Sequence, residues 1–296
     1  MVSKELRQQI EDYAAQNRRR VVEDLKALVR IPSVSRPGEE GKPFGEGCAR
    51  ALDKALEMAE AHAPTHRNCG CRYGLAGFGE GDKTIGLFCH LDVVPEGNGW
   101  IHSPYDPVEK DGFLIGRGVA DNKNAAVLSM YVLRAFRELG LPLRSRLQIF
   151  FGCSEETGME DIESFVREQP MPDFSIVPDT SFPVCHGEKG IFGCFARCGR
   201  PWSQILSLSG GTVENMVPDS ARAPLPMHPA LLAELRLTAE KAQGVSVAAQ
   251  GEEIVVTAAG RGAHAAMPEG GDSALLRLFR FLASVPAIHQ GDREIC

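Results

Sequence analysis

Apolar residues recur at helical spacing through the first thirty positions: Leu6, Ile10, Tyr13 and Ala14, then Val21, Val22, Leu25, Leu28 and Val29. Ser3 stands ahead of the run as a candidate N-cap. Ile31-Pro32 ends it, because proline disfavours helix in the residue before it. A glycine-rich, charged stretch, SRPGEEGKPFGEG, reads as a loop. The helical period returns over 48–62, with Ala51, Leu52, Ala55 and Leu56 facing inward. Short apolar runs then mark strands at 73–78, in TIGLFCHLDVV (84–94), in LQIFFGC (147–153) and, after an intervening helix, in FSIVPD (174–179). GNGW and YDPVEKDGFLIGRG have the turns and alternation of a hairpin. A helix is expected over 122–138, closed by Gly140 and Pro142.

Strands alternating with helices predict an α/β layered domain with a mostly parallel sheet. The texture changes near Gly187. Beyond it, IFGCFARC and SQILSLS read as strands, 229–243 as a helix, VSVAAQ and EEIVVTAAG as a hairpin, and 273–283 as a helix. That order suggests a small α+β unit, with the first domain at 1–188 and the second at 189–296. No internal repeat or low-complexity segment is present.

At 296 residues the chain is long enough for one large domain or two ordinary ones. Its 43% hydrophobic and 24% charged residues are those of a globular protein. No apolar run reaches the ~18 residues of a membrane-spanning helix. The charged first twenty residues do not have the pattern of a signal peptide, so a cytoplasmic location is expected. The net charge of −7 argues against nucleic acid as a partner. It suits carboxylates gathered around a cation. Nine cysteines are scattered, with a C-x-C at Cys69 and Cys71 and three residues between Cys194 and Cys198. No paired C-x-x-C set marks a structural zinc, and reduced, mostly buried thiols are expected.

Four acidic or imidazole clusters lie at predicted strand ends or just after them. In CHLDVV, His90 and Asp92 are two apart, which on a strand puts both on one face. A carboxylate beside a histidine commonly orients the ring and raises its basicity as a ligand. In GRGVADNK, Asp121 precedes a helix, where an N-cap is the ordinary alternative. CSEETG delivers Glu155 and Glu156 side by side, and IVPDTS carries Asp179. In open α/β sheets the carboxyl ends of the strands are where sites are built. Two divalent cations ~3.5–4 Å apart would account for all four clusters, one carboxylate bridging them and another serving as general base. Nitrogen and oxygen donors without thiolate suit Zn²⁺, Mn²⁺ or Co²⁺.

HLDVVP, GRGVADNK, SEETGMED and PDTSFPVCHGEKG resemble, in order, the dinuclear-zinc metallopeptidase family of ArgE, DapE, carboxypeptidase G and the carnosinases. The resemblance is nearest to its PepV-type (Sapep-like) dipeptidases. It implies a hydrolase-like zinc-peptidase catalytic domain with an inserted α+β lid domain, incomplete here. It also implies two divalent cations, with Zn²⁺ as the first choice, and a small peptide as substrate. By resemblance, His90 and Asp179 are ligands of one metal, Asp121 bridges, Glu156 holds the second metal, Glu155 is the general base and Asp92 orients the His90 ring. GGTVENMVPD and GRGAHAAMPEGGDSA resemble the lid motifs whose Asn215 and His264 bind substrate and the tetrahedral oxyanion. The remaining histidines have no supporting neighbours.

Where the family reads Asp-Asp-Lys-Gly, this chain reads Asp121-Asn122-Lys123-Asn124. Family members are also longer, and a last histidine ligand and a substrate-binding arginine have no counterpart in these 296 residues. The expectation is therefore a dipeptidase lacking its C-terminal part, with little activity as the isolated chain. A non-catalytic remnant and a related amide deacylase or desuccinylase are the alternatives.

Overall fold

Ser3 accepts a hydrogen bond from the Leu6 amide (3.1 Å) and so caps α1 (Lys4–Val29), as its position predicts. A computed structural model describes residues 3–97, 99–180, 183–190 and 192–296. Asn98 of the GNGW turn, Ser181 and Phe182 of the PDTSFPVCHGEKG motif, and Ile191 of IFGCFARC lie outside the described residues. After α1 come α2 (Glu46–Glu60), β1 (Thr65–Cys69), β2 (Tyr73–Phe78), β3 (Thr84–His90), β4 (Val108–Lys110), β5 (Phe113–Ile115) and α3 (Lys123–Glu138). They are followed by β6 (Arg146–Gly152), a 3₁₀ turn (Glu155–Thr157), α4 (Glu160–Glu168) and β7 (Phe174–Ile176).

Among the described residues, β1 to β3 with β6 and β7 form a sheet of order β1-β2-β6-β3-β7. β3 runs parallel to both β6 and β7, while β2 meets β1 and β6 antiparallel. The α/β class holds, with a parallel centre and an antiparallel edge. Alternation along the strands divides the core in two. Leu87, Cys89, Leu147, Ile149 and Phe151 join Leu28, Leu52, Ala126 and Leu133 beneath α1, α2 and α3. Tyr73, Phe88 and Phe150 turn the other way, onto Phe165 of α4, with ring centroids 5.2–5.7 Å apart. The predicted hairpin is β4–β5. β7 departs from the buried strand expected of FSIVPD: all three of its residues are exposed, because it is the edge strand and pairs only with β3. β1 is absent from the sequence reading, since THRNC is a polar edge strand with no apolar alternation.

The chain divides into two compact units, 1–186 and 187–296. In the second, β8 (Ser209–Gly210) and β9 (Ser220–Pro226) precede α5 (Pro229–Ala239), β10 (Val245–Gln250), β11 (Glu253–Ala259), α6 (Ala274–Ser284) and α7 (Gln290–Ile295). Their sheet has the order β10-β11-β9-β8. One face packs on α5 and α6 through Ala223, Leu225, Val256, Leu231, Leu235, Leu278 and Phe281. Two expected strands are corrected. The described part of IFGCFARC joins no ladder, and Phe192 and Phe195 are about nine-tenths exposed. SQILSLS contributes only Ser209 to a strand, because a side-chain carboxylate claims its backbone donors: Asp292 of α7 accepts the amides of Ser203, Gln204 and Ile205 at 2.7–3.0 Å. Cys48, Cys69, Cys71, Cys89, Cys153, Cys194, Cys198 and Cys296 are free thiols. Only Cys48, Cys89 and Cys153 are fully buried, and Cys185, Cys194 and Cys198 are exposed on the irregular stretch, which corrects the expectation of mostly buried thiols. No described helix is long and apolar enough to cross a membrane.

Candidate metal centre

Parallel strands deliver their carboxyl ends to one side, and the centre lies there. His90 is the last residue of β3, opposite Gly152 at the end of β6. Around its Nε2 stand Asp121 Oδ1 at 3.0 Å, Asp179 Oδ2 at 3.6 Å and Glu155 Oε2 at 3.8 Å. Two overlapping sets have donor atoms all within 4.8 Å of one another: His90, Asp121 and Glu156, and His90, Glu155 and Asp179. The five residues predicted from four separate clusters are thus brought together. His90 is buried, Glu155 and Glu156 are half-buried, and Asp121 and Asp179 are more open.

The imidazole's other nitrogen shows why this suits a cation. His90 Nδ1 lies 2.9 Å from the backbone carbonyl of Asp92 and so donates its proton there. Nε2 is then left as a lone pair facing three carboxylates, an arrangement that repels unless a positive charge sits between them. A proton on Nε2 is one answer. Burial opposes the charged ring, but the carboxylates of Asp121, Asp179 and Asp92 outweigh it and hold His90 far above the ordinary histidine range. A divalent cation is the other answer, and an imidazole nitrogen among carboxylate oxygens is the donor set of Zn²⁺ or Mn²⁺. Burial, and next the Asp121 carboxylate, push Glu156 up to about 7. Glu155 is also raised, first by burial, with His90 opposing and Asp179 adding to the shift.

Asp92 departs from its expected position. β3 ends at His90, so Asp92 lies beyond the strand rather than on it. Its Oδ1 is 3.4 Å from His90 Nδ1, farther than its own carbonyl. The carboxylate instead accepts the backbone amides of Glu155 (3.2 Å) and Glu156 (3.0 Å) and anchors the turn that carries both glutamates. Asp179 is likewise three residues past β7 rather than directly after a buried strand. Asp121 is no helix cap, because Asn122 occupies the N-cap position of α3. The Asp121–Asn122 peptide is cis. Asn122 is buried, and neither side-chain polar atom has a hydrogen-bond partner.

One residue at the centre went unread in the sequence. Lys123 is fully buried, and its Nζ donates to the carbonyls of Leu28 (3.1 Å) and Ile31 (2.8 Å) at the end of α1. Burial lowers it to about 8. Its signal was a lysine in the first turn of a helix, where the macrodipole disfavours a cation. In the second unit, the Ala265 amide donates to the Asn215 carbonyl (2.7 Å), and Met216 and His264 form a bridge, so the segments around Asn215 and His264 run side by side. His264 Nδ1 accepts the Ala266 amide at 3.1 Å. Among the other histidines, His62 is half-buried with its ring 5.7 Å from that of Tyr131, and His289 caps α7.

A model of peptidase family M20/M25/M40 matches residues 86–276. Putative dipeptidase YtjP of Bacillus subtilis strain 168 is 30% identical over 289 residues, covering 93% of this chain and 62% of its own length. Putative dipeptidase SH1171 of Staphylococcus haemolyticus strain JCSC1435 is 31% identical over 303 residues, covering 97% of this chain and 63% of its own. The chain therefore spans less than two thirds of the length of these curated relatives. Human carnosine dipeptidase 1, a solved structure, aligns at a TM-score of 0.49 and 25% identity, over 57% of this chain and 40% of that one.

Proposed function

The chain belongs to peptidase family M20/M25/M40, and on that premise we propose that it is a metal-dependent dipeptidase that hydrolyses short peptides with Glu155 as general base. The observation that carries this reading is the gathering of Asp121, Asp179 and Glu155 oxygens within 3.8 Å of His90 Nε2, with Glu156 alongside. Both relatives are named as dipeptidases, which supports the substrate class.

In this reading His90 and Asp179 would hold one cation and Glu156 a second, with Asp121 shared between them. Two divalent cations, Zn²⁺ or Mn²⁺ by donor chemistry, would supply the Lewis acidity that polarises a peptide carbonyl and acidifies water. Glu155 would serve as the group that accepts a proton from water and passes it to the leaving amine, a task that suits a carboxylate raised above its ordinary range. Asp92 keeps the His90 proton on Nδ1 through its carbonyl and holds the glutamate turn through its carboxylate. Asn215 and His264 are assigned to substrate and oxyanion binding on the resemblance of their motifs.

Glu155→Gln separates chemistry from binding. It should lower dipeptide turnover by at least about 10²-fold while the cation content, measured by elemental analysis, stays at the wild-type level. Loss of the cations in that variant would assign Glu155 to the ligands instead. Asp121→Ala should deplete both cations together, and either one retained at full occupancy would refute bridging.

A further inference from the structure

Four loops carry the centre's donors. Three of them leave separate elements close to one another in the fold: His90 to Val93 at the end of β3, Asp121 to Lys123 at the start of α3, and Ser154 to Thr157 after β6. Asp179 follows β7 on the fourth. One short stretch touches the first three. At its start, the Leu28 and Ile31 carbonyls receive Lys123 Nζ, two residues after Asp121. In its middle, Ser33 Oγ donates to the Leu91 carbonyl (2.6 Å), and the Ser33 carbonyl accepts the Val93 amide (3.1 Å) on either side of Asp92. Val34 and Val93 form a parallel bridge. At its end, Ser35 Oγ and Thr157 Oγ1 share a hydrogen bond of 2.8 Å, one residue beyond Glu156. Ser33 and Ser35 are buried and two apart, and their hydroxyls reach two different loops.

We infer that segment 28–35 is a positioning strap, which sets the spacing of these three ligand-bearing loops through Ser33, Ser35 and the carbonyls at the end of α1. The seat of the strap is tight. A Cβ on Gly47, in the first turn of α2, would lie 2.2 Å from the Pro32 carbonyl oxygen, so only glycine lets α2 press on it. The strap makes no contact with substrate or cation in this assignment. It acts through the groups it holds, as outer-shell partners of metal ligands do, and removal of such partners typically costs 10–100-fold in metal affinity. The inference rests on the reading of the centre as a cation site, but its geometric half, the tethering of the loops, stands apart from that reading.

The test uses Ser35→Ala and Thr157→Val, each removing one side of the shared bond, with Ser35→Thr to restore a hydroxyl. Tyr131→Phe serves as control, since it deletes one hydrogen bond to Asp24 away from the three loops. Co²⁺ titration followed by visible absorption reads affinity, and hydrogen exchange reads the amides of Glu155 to Gly158. Ser35→Ala and Thr157→Val should each weaken Co²⁺ binding about ten-fold and speed exchange at those amides. The double variant should be no worse than either alone, Ser35→Thr should recover most of the affinity, and Tyr131→Phe should leave both readouts at the wild-type level. Wild-type affinity in Ser35→Ala, or an equal loss in Tyr131→Phe, overturns the strap. If the wild-type protein takes up no Co²⁺, the cation reading falls, and the strap is then decided by exchange alone: unchanged protection at Glu155 to Gly158 in Ser35→Ala overturns it.

Discussion

Asp92 serves two loops at once, its carbonyl holding the proton of His90 and its carboxylate two amides of the glutamate turn. Asp92→Asn keeps shape and volume but puts an NH₂ where one of those amides points, so that two donors face each other. Because a misplaced outer-shell partner typically costs 10–100-fold in metal affinity, Asp92→Asn should weaken Co²⁺ binding by that order, and titration of the purified variant checks it. An unchanged affinity would mean that the carbonyl alone positions His90. His90, Asp121, Glu155, Glu156 and Asp179 were legible because each stands next to a recognisable strand end or helix start. The bonds of Asp92, Ser33 and Ser35 were not. The Asp92 carboxylate and the two serine hydroxyls join positions 58 to 122 residues apart, and such side-chain contacts leave no periodicity to read. Asp92 was chosen from its nearness to His90, and its carboxylate lies 3.4 Å from Nδ1, but its bonds to the glutamate turn had no signal in the sequence.

Periodic elements were readable, and those made by side-chain bonding were not. α1, α2, α3 and the β4–β5 hairpin follow their apolar spacing to within about two residues. β9 escaped because SARAPLP holds two prolines, which argue against an interior strand. It accommodates them because β8 pairs only with Ala221 and Arg222, and beside Pro224 the neighbouring stretch asks only for its carbonyl, which accepts the Leu206 amide at 2.9 Å. The stretch 203–209 failed in the other direction: its alternation is real, but Asp292 takes its amides. That carboxylate is fully buried and answers three donors, so Asp292→Ala should destabilise the second unit by about 3 kcal/mol, the scale of lost hydrogen bonds to a charged group. Burial by itself would raise Asp292, yet the Ser203, Gln204 and Ile205 amides bring it below the usual aspartate value. A lowered folded pKa means that its stabilisation is complete above the unfolded value of about 3.9 and is lost as pH falls through the folded one. Denaturant melts at pH 7 and pH 3 should show that loss in the wild-type second unit and a smaller one in Asp292→Asn.

Among the described residues each buried cluster belongs to one unit: two lie in the first and one in the second, so thermal unfolding need not be one transition. Every proposed cation ligand is in 1–186. A cation at a hundred times its Kd stabilises the state that binds it by about 2.7 kcal/mol, or roughly 5–10 °C for a unit of this size. In calorimetry, a chelator should therefore lower the transition of the first unit and leave that of the second in place; equal shifts in both would contradict this division. At this scale composition and charge placed the chain correctly among globular folds, and the order of its motifs led to the family. The parallel middle of the first sheet has one more consequence. β3 pairs with β6 only after the β4–β5 hairpin and α3 have intervened, and with β7 only after α4. Such distant pairings form slowly, since the closure entropy is spent before any contact rewards it. His90 and Glu155 meet only once that topology is in place. The residues proposed to hold cations therefore converge only after β3 has paired with β6, so cation uptake should follow that pairing rather than nucleate it.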